Sequence, residues 1–384
     1  LTYHTLPQSP ALSPLAGPVT SRRSGERAIL PWPALLGGLV VLFLAANARW
    51  IWLYRHAQPL DIDEAGYLGI ALRDYRAWLA GGAAGWLGAV EGVSIHAPLA
   101  TALASLVFAA VGPHVVAGFT VPVLAAAACV LAGYGLARTL APPAAAFAVA
   151  ALVATCPIVL VYARSFHFAM PATVVMTFAL LGLARSARFA RPGWAALFGV
   201  SLGLLPLART MTIAFVPGLV LAAAIHAAAG GDRPLRRLAV LGGALLLAAL
   251  TAGAWLVPNR AGVFGYLLSF GYGHRAAEFG PRQGFLGLEA WAYTARSFAT
   301  HVYLPHALVL LAGALALPVV LLGAVRRRGA MGLGRALLRS PALPVAVSMA
   351  EVLTALTSSQ NKGSAFMARW SRRCSCSLPG RCSA

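Results

Sequence analysis

The apolar residues of this chain come in long, uninterrupted blocks, with the charges confined to the stretches between them. Runs of about 18 or more apolar residues are long enough for a helix to cross the hydrocarbon core of a bilayer. In lipid every backbone N–H and C=O must be satisfied within the segment, so such runs are helical. Composition agrees. Apolar residues make up 59% of the 384 and charged residues 10%, whereas soluble domains carry about 25% charged residues. The expected fold class is therefore all-α, a polytopic transmembrane helix bundle.

Candidate spans are 32–54, 114–138, 142–162, 170–186, 193–209, 211–229, 237–257, 302–325 and 341–357, nine in all. A further apolar run, 97–112, reaches only about 24 Å as a helix, against a core of about 30 Å. The arginines decide how to read it. If 97–112 does not cross and the N-terminus is cytoplasmic, the inner segments hold Arg22, Arg23, Arg27, Arg138, Arg185, Arg188, Arg191, Arg233, Arg236, Arg237, Arg326, Arg327, Arg328, Arg335 and Arg339, opposed only by Glu26 and Asp232. If it crosses, twelve of those fifteen move outside. The positive-inside rule favours the first arrangement. So 97–112 is expected to be a helix lying on the outer membrane surface, and two long outer loops, 55–113 and 258–301, are left to build a site. Seven of the ten acidic residues fall in them.

The same topology accounts for the net charge of +20 without nucleic acid, because the arginines are scattered between spans and do not cluster on a soluble face. Residues 1–28, rich in Pro and Ser toward the start, are expected to be a disordered cytoplasmic tail. The first apolar run has no clear small-residue cleavage site and is expected to stay as the first helix. Cys129 and Cys156 lie within apolar runs, as small packing residues do.

Four segments could carry chemistry. The densest is Asp61-Ile62-Asp63-Glu64-Ala65-Gly66-Tyr67-Leu68. Carboxylates this close repel, which raises at least one pKa. Such a group can act as a general base toward a hydroxyl, or hold a divalent cation against a phosphate. Asp61 and Glu64 also have the spacing of a helix capping box, with an apolar face following at Leu68, Leu72 and Tyr75. Capping leaves Asp63 spare, which makes it the best catalytic candidate, with Glu64 beside it. The second segment, Ser94-Ile95-His96-Ala97-Pro98-Leu99, sets His96 at the start of the surface helix. The third is Tyr162-Ala163-Arg164-Ser165-Phe166-His167-Phe168, an outer turn in which Arg164 and His167 are candidates for phosphate contacts. There Arg164 has snorkelling to the headgroups as its plain alternative. The fourth, in the loop 258–301, runs through Tyr272, His274 and Arg275, where glycine and aromatics interleave with polar groups. P-loop, dinucleotide-binding and zinc-protease motifs are all absent from the sequence.

The arrangement resembles the GT-C-type glycosyltransferases, more narrowly the group of protein O-mannosyltransferases and lipid A aminoarabinose transferases. DIDEAGYLGIAL is the most specific part, SIHAPL resembles an H-P-P-L element, and YARSFHFAMP resembles the turn after the third span. The resemblance covers residues 30–366. It implies a bacterial cytoplasmic-membrane enzyme that moves a sugar from a polyprenyl-phosphate donor to an envelope or lipid acceptor on the outer face. It places the family's loop acid on Asp63 and an arginine of the later turn on Arg164. The family usually has a second acid about five positions further on, where this chain has Ala169. The cofactor is left open, with a divalent cation on Asp63 and Glu64 as the candidate. Membrane lipids are expected partners; nucleic acid is not. A transporter or flippase, or a non-catalytic truncated relative, is the competing reading. Residues 367–384, with their arginines, serines and Cys374, Cys376 and Cys382, differ in style from the rest and are expected to reflect a frameshift or truncation.

Overall fold

A computed structural model of the chain describes residues 31–359, apart from 56–57, 93, 230–232, 280–286 and 303. The tail 1–28 and the segment 367–384 lie outside the described residues. The chain is an integral membrane protein built of helices. In order they are α1 (Trp32–Tyr54), α2 (Ile62–Glu91), α3 (Leu99–Val111), α4 (Val115–Ala137), α5 (Pro143–Thr155), α6 (Pro157–Ala163), α7 (Ala169–Arg185), α8 (Pro192–Ala208), α9 (Val216–Ala228), α10 (Pro234–Tyr266), α11 (Leu288–His301), α12 (Leu304–Arg339) and α13 (Ala342–Ser358). A 3-10 turn, Thr210–Phe215, leads into α9, and a π-helical turn, Leu267–Tyr272, continues α10.

Five stretches are long and apolar enough to cross a membrane, or seven if two bent pairs each count as one span. This refines the expected nine. The run 142–162 is broken by 56° between α5 and α6, because Cys156 precedes a proline and is held extended. The expected inner loop 326–340 is instead helical and continues α12 past a break at Gly329. Helices α7 and α8, at 17 residues each, sit at the lower limit of span length. They are nonetheless the centre of the bundle, with Leu183, Phe198 and Leu205 fully enclosed.

Close approach of backbones holds that centre. A Cβ added at Gly199 would meet the Ala244 carbonyl oxygen at 2.3 Å, and one at Gly203 would meet that of Ala248 at 2.5 Å. Small residues four apart on α8 thus face small residues four apart on α10, the pattern by which membrane helices pack without a hydrophobic driving force.

The segment expected to be the first outer loop folds largely as helices α2 and α3. Asp61 Oδ1 accepts from the Glu64 N–H at 2.8 Å, and the Glu64 side chain accepts from the Asp61 N–H at 3.2 Å, so the capping box is formed in both directions. Gly82, at φ 57°, breaks α2, and the chain folds back so that Trp78 meets Trp86 edge-on at 6.4 Å. Trp86 then donates to Ser105 Oγ of α3 at 2.8 Å. Helix α3 packs along α2. The segment leading into it meets Tyr67 of α2 through His96, and its far end meets Tyr75 through Phe108.

The second outer loop differs more from expectation. The span expected to stop at 257 runs on through Pro258 to Tyr266. Asn259, 3% exposed, donates back to the Trp255 carbonyl at 2.9 Å. It also accepts from the Ser94 N–H at 2.6 Å. That pair of bonds ties the extended helix to the loop carrying His96.

Candidate active site

The two ends of the bundle carry different chemistry. Arg185 donates to the Gly135 carbonyl at 3.0 Å, Arg188 donates to the Arg339 carbonyl at 3.3 Å, and Arg237 lies near His226. The arginines of four separate connections therefore gather at one end. The acidic segment, His96, the 164–168 turn and the start of the 3-10 turn gather at the other.

At that second end Tyr67 is the hub. Its ring meets His96 edge-on at 5.8 Å, His167 at 5.9 Å and Phe168 at 5.6 Å. It stands one helical turn after Asp63, so both project from the same stretch of α2. Burial, reinforced by Asp63, pushes the Tyr67 hydroxyl well above the usual phenol range. It stays a neutral hydrogen-bond donor. His167 is pushed down to about 4, first by burial and then by Arg209, with Asp61 pulling the other way. It is a neutral imidazole at pH 7. The Asp63 carboxyl is raised by partial burial and then by Asp61, with His96 opposing.

The structure thus brings Asp63, His96 and His167 together around Tyr67. Glu64 is bonded differently. It is 2% exposed, ion-paired with Arg55, and its Oε1 accepts from the Phe166 N–H at 3.2 Å. With the Asp61 amide also on Oε2, both oxygens are engaged in holding structure, which fits neither a catalytic acid nor a metal ligand. Among the described residues no three His, Cys, Asp or Glu side chains group as a metal ion would need. Arg164 is likewise occupied: Nε donates to Asn47 Oδ1 at 2.7 Å and the guanidinium lies 4.7 Å from the Trp50 ring. It braces α1 and does not point at the cluster. Arg275 lies over Phe270 at 5.0 Å, and His274 beside it is exposed. Tyr272 is directed away, with its hydroxyl donating to the Ala355 carbonyl at 3.3 Å.

The cation that serves the cluster is Arg209, which the sequence reading missed. It follows α8 directly and lies over the Phe168 ring at 4.5 Å. Its electrostatic neighbours are Tyr162, Tyr266 and Tyr67. Its side chain is exposed and lines an open cavity. That cavity, of about 100 Å³, is lined by Arg209, Met211, Phe215, Leu267, Tyr272 and Leu356 among others. Thr210 Oγ1 donates to the Ile95 carbonyl at 2.8 Å, fixing the arginine beside the His96 loop. A signal existed. Arg209 stands at the turn between two expected spans, on the side from which most other turn arginines are missing.

Comparison with known proteins bears on this geometry. Residues 95–256 match the family model described as dolichyl-phosphate-mannose-protein mannosyltransferase. The likeness is to the GT-C group. The matched segment contains His96, Arg164, His167 and Arg209, while Asp63 precedes it. The fold is similar to the crystal structure of ArnT from Cupriavidus metallidurans in the apo state, with TM-score 0.52, 17% identity, and 85% of this chain covered. The chain spans 59% of the length of that protein. No curated protein sequence matches the chain as a relative.

Proposed function

We propose that this chain is a glycosyltransferase that moves a sugar from a polyprenyl-phosphate donor to an acceptor on the outer face of a bacterial cytoplasmic membrane, its N-terminus on the cytoplasmic side. The observation that carries the proposal is one juxtaposition. Arg209 lines a largely apolar cavity and is within electrostatic reach of Tyr67 and Tyr266, the two tyrosines that also feel Asp63. A membrane-anchored phosphate needs an apolar trough for its chain and a cation for its headgroup, and an arginine suits phosphate oxygens. The acceptor needs a base at the other side of the sugar.

The step is written accordingly. Asp63 accepts the proton of an acceptor hydroxyl or amine as that atom attacks the anomeric carbon. The bond between the anomeric carbon and the phosphate oxygen breaks, with inversion, and Arg209 holds the charge that develops on the departing phosphate. The raised pKa of Asp63 makes it a stronger base than an ordinary carboxylate. Neutral His167 and the Tyr67 hydroxyl are placed to position polar groups of sugar or phosphate without adding charge. The gathering of polar groups at one end of the bundle, away from its middle, favours this over transport. Membranes containing the full chain, given a panel of labelled polyprenyl-phosphate sugars, are expected to transfer one of them, and Asp63→Asn is expected to slow that transfer by about 10²–10⁴-fold. Transfer at wild-type rate by the variant would overturn the assignment.

A further inference from the structure

At the opposite end of the bundle, beyond anything the transfer reaction uses, Phe189, Ala190, Arg233, Arg236 and Arg237 line a cavity of about 110 Å³. We infer that this cavity is a binding site for a phosphate-class anion. Its three arginines come from the start of α10, and Phe189 comes from a turn whose residues Ala187, Arg188 and Phe189 all have positive φ, at 50°, 59° and 62°. L residues rarely adopt that conformation. Here three in succession turn the chain so that Phe189 is fully buried and Arg188 lies near His226.

Arg233 and Arg236 are exposed at the cavity, and buried polar groups at and near it lack partners. Arg237 Nη1 is buried with no hydrogen bond, and so are both ring nitrogens of His226, which is 3% exposed. The charged neighbours of that imidazole are Arg188 and Arg237. Among the described residues no carboxylate pairs with Arg233, Arg236 or Arg237; the ion pairs are Arg55 with Glu64 and Arg73 with Asp74. The sequence offers one acid nearby, Asp232, outside the described residues, against four guanidinium groups. The buried Arg237 N–H left unmade among like charges is costly, and an anion at the cavity would satisfy it. The N-terminal end of α10 adds a partial positive charge in the same place. Guanidinium forks match phosphate oxygens, and basic pockets between membrane helices take phospholipid headgroups. The shared chemistry is a phosphate group, either free or at the head of an anionic lipid.

The test uses the full chain, in detergent and in nanodiscs. Retention of phosphatidylglycerol is read by native mass spectrometry against phosphatidylcholine, and the melting temperature is read with and without inorganic phosphate. Wild type is expected to retain phosphatidylglycerol selectively if the source is a lipid, or to be stabilised by inorganic phosphate in zwitterionic nanodiscs if it is a free anion. The pair Arg236→Gln with Arg237→Gln is expected to weaken whichever is seen by about tenfold or more. Arg138→Gln, at the same end but bonded to the Ala141 carbonyl at 2.6 Å, is expected to change it less than about twofold. Arg233→Gln, on an exposed arginine, repeats the test should the double variant fold poorly. Equal effects of the Arg138 and Arg236/Arg237 changes, or binding of neither probe, would overturn the inference. None of these readouts requires sugar transfer.

Discussion

At one end of the bundle Asp63, Tyr67, His96, His167 and Arg209 come from four separate stretches of chain and lean on one another. At the other end the arginines come from short connections and, among the described residues, meet carbonyl oxygens and each other. The first end needed long segments between spans, because a site of mixed charge has to be folded before its groups can meet. The second needs only short turns, since a single sign of charge serves orientation wherever it sits. The difference teaches that density of charge is a poor guide to chemistry in a membrane protein. Among the described residues many arginines gather at the end away from Asp63, and the transfer site uses one that stands apart from them.

The comparison can be broken most directly at Asp63. Asp63→Asn is expected to slow transfer by about 10²–10⁴-fold, the usual worth of a positioned base, with an unchanged melting temperature. A variant within threefold of wild type would leave the acidic end without its function. Glu64 sharpens the contrast between neighbours. Glu64→Ala leaves Arg55 uncompensated, and breaking a buried pair in this way costs about 3–5 kcal/mol. The loss is expected in thermal stability measured in detergent. A stable but inactive Glu64→Ala protein would instead return Glu64 to the chemistry.

Arg209→Gln removes the charge from the cavity lining. It is expected to reduce transfer by roughly 10- to 100-fold, as loss of a charge-assisted hydrogen bond does, with its effect concentrated on kcat, since the charge it holds develops as the phosphate departs. The same change at Arg138 is expected to leave transfer within about twofold; equal losses at both would erase the distinction between the ends. The smallest effect is a shift in pH dependence. Burial and Asp61 both hold Asp63 protonated to higher pH than an ordinary carboxylate, so activity is expected to fall as pH drops through that raised value. Asp61→Asn keeps a good helix cap and removes the like charge. The acidic limb of kcat/KM is then expected to move to lower pH, and a limb that stays put would mean that another group sets it.

Much of this was readable from the chain. The apolar blocks imply a bundle of helices, and the described chain is one. The capping spacing separates Asp63 from Asp61 and Glu64, and the formed box bears that out. What the sequence does not carry is rotation about the chain. Arg164 and His167 are three residues apart in one turn, yet the first braces Asn47 and the second joins Tyr67. Helix ends were hidden too. Pro258 reads as a stop, but Asn259 bonds back over it, so Tyr266 comes near the site from a helix and not from a loop. Arg209 was passed over because it belongs to no dense motif, and only the meeting of α8 with the 164–168 turn gives it neighbours.

The bonds of Glu64 have a practical meaning for anyone wishing to change what this protein accepts. Through one carboxylate, the end of α1, the start of α2 and the turn before α7 are fastened into a single block. Libraries that vary residues within that block would be spent mostly on variants that fail to fold. The opposite wall of the cavity, from Leu267 to Tyr272, is a π-helical turn fastened by fewer side-chain bonds, among them Tyr272 to the Ala355 carbonyl and Ser359 to the Gly271 carbonyl. Diversity placed there would test new substrates while leaving the scaffold that holds Asp63 intact.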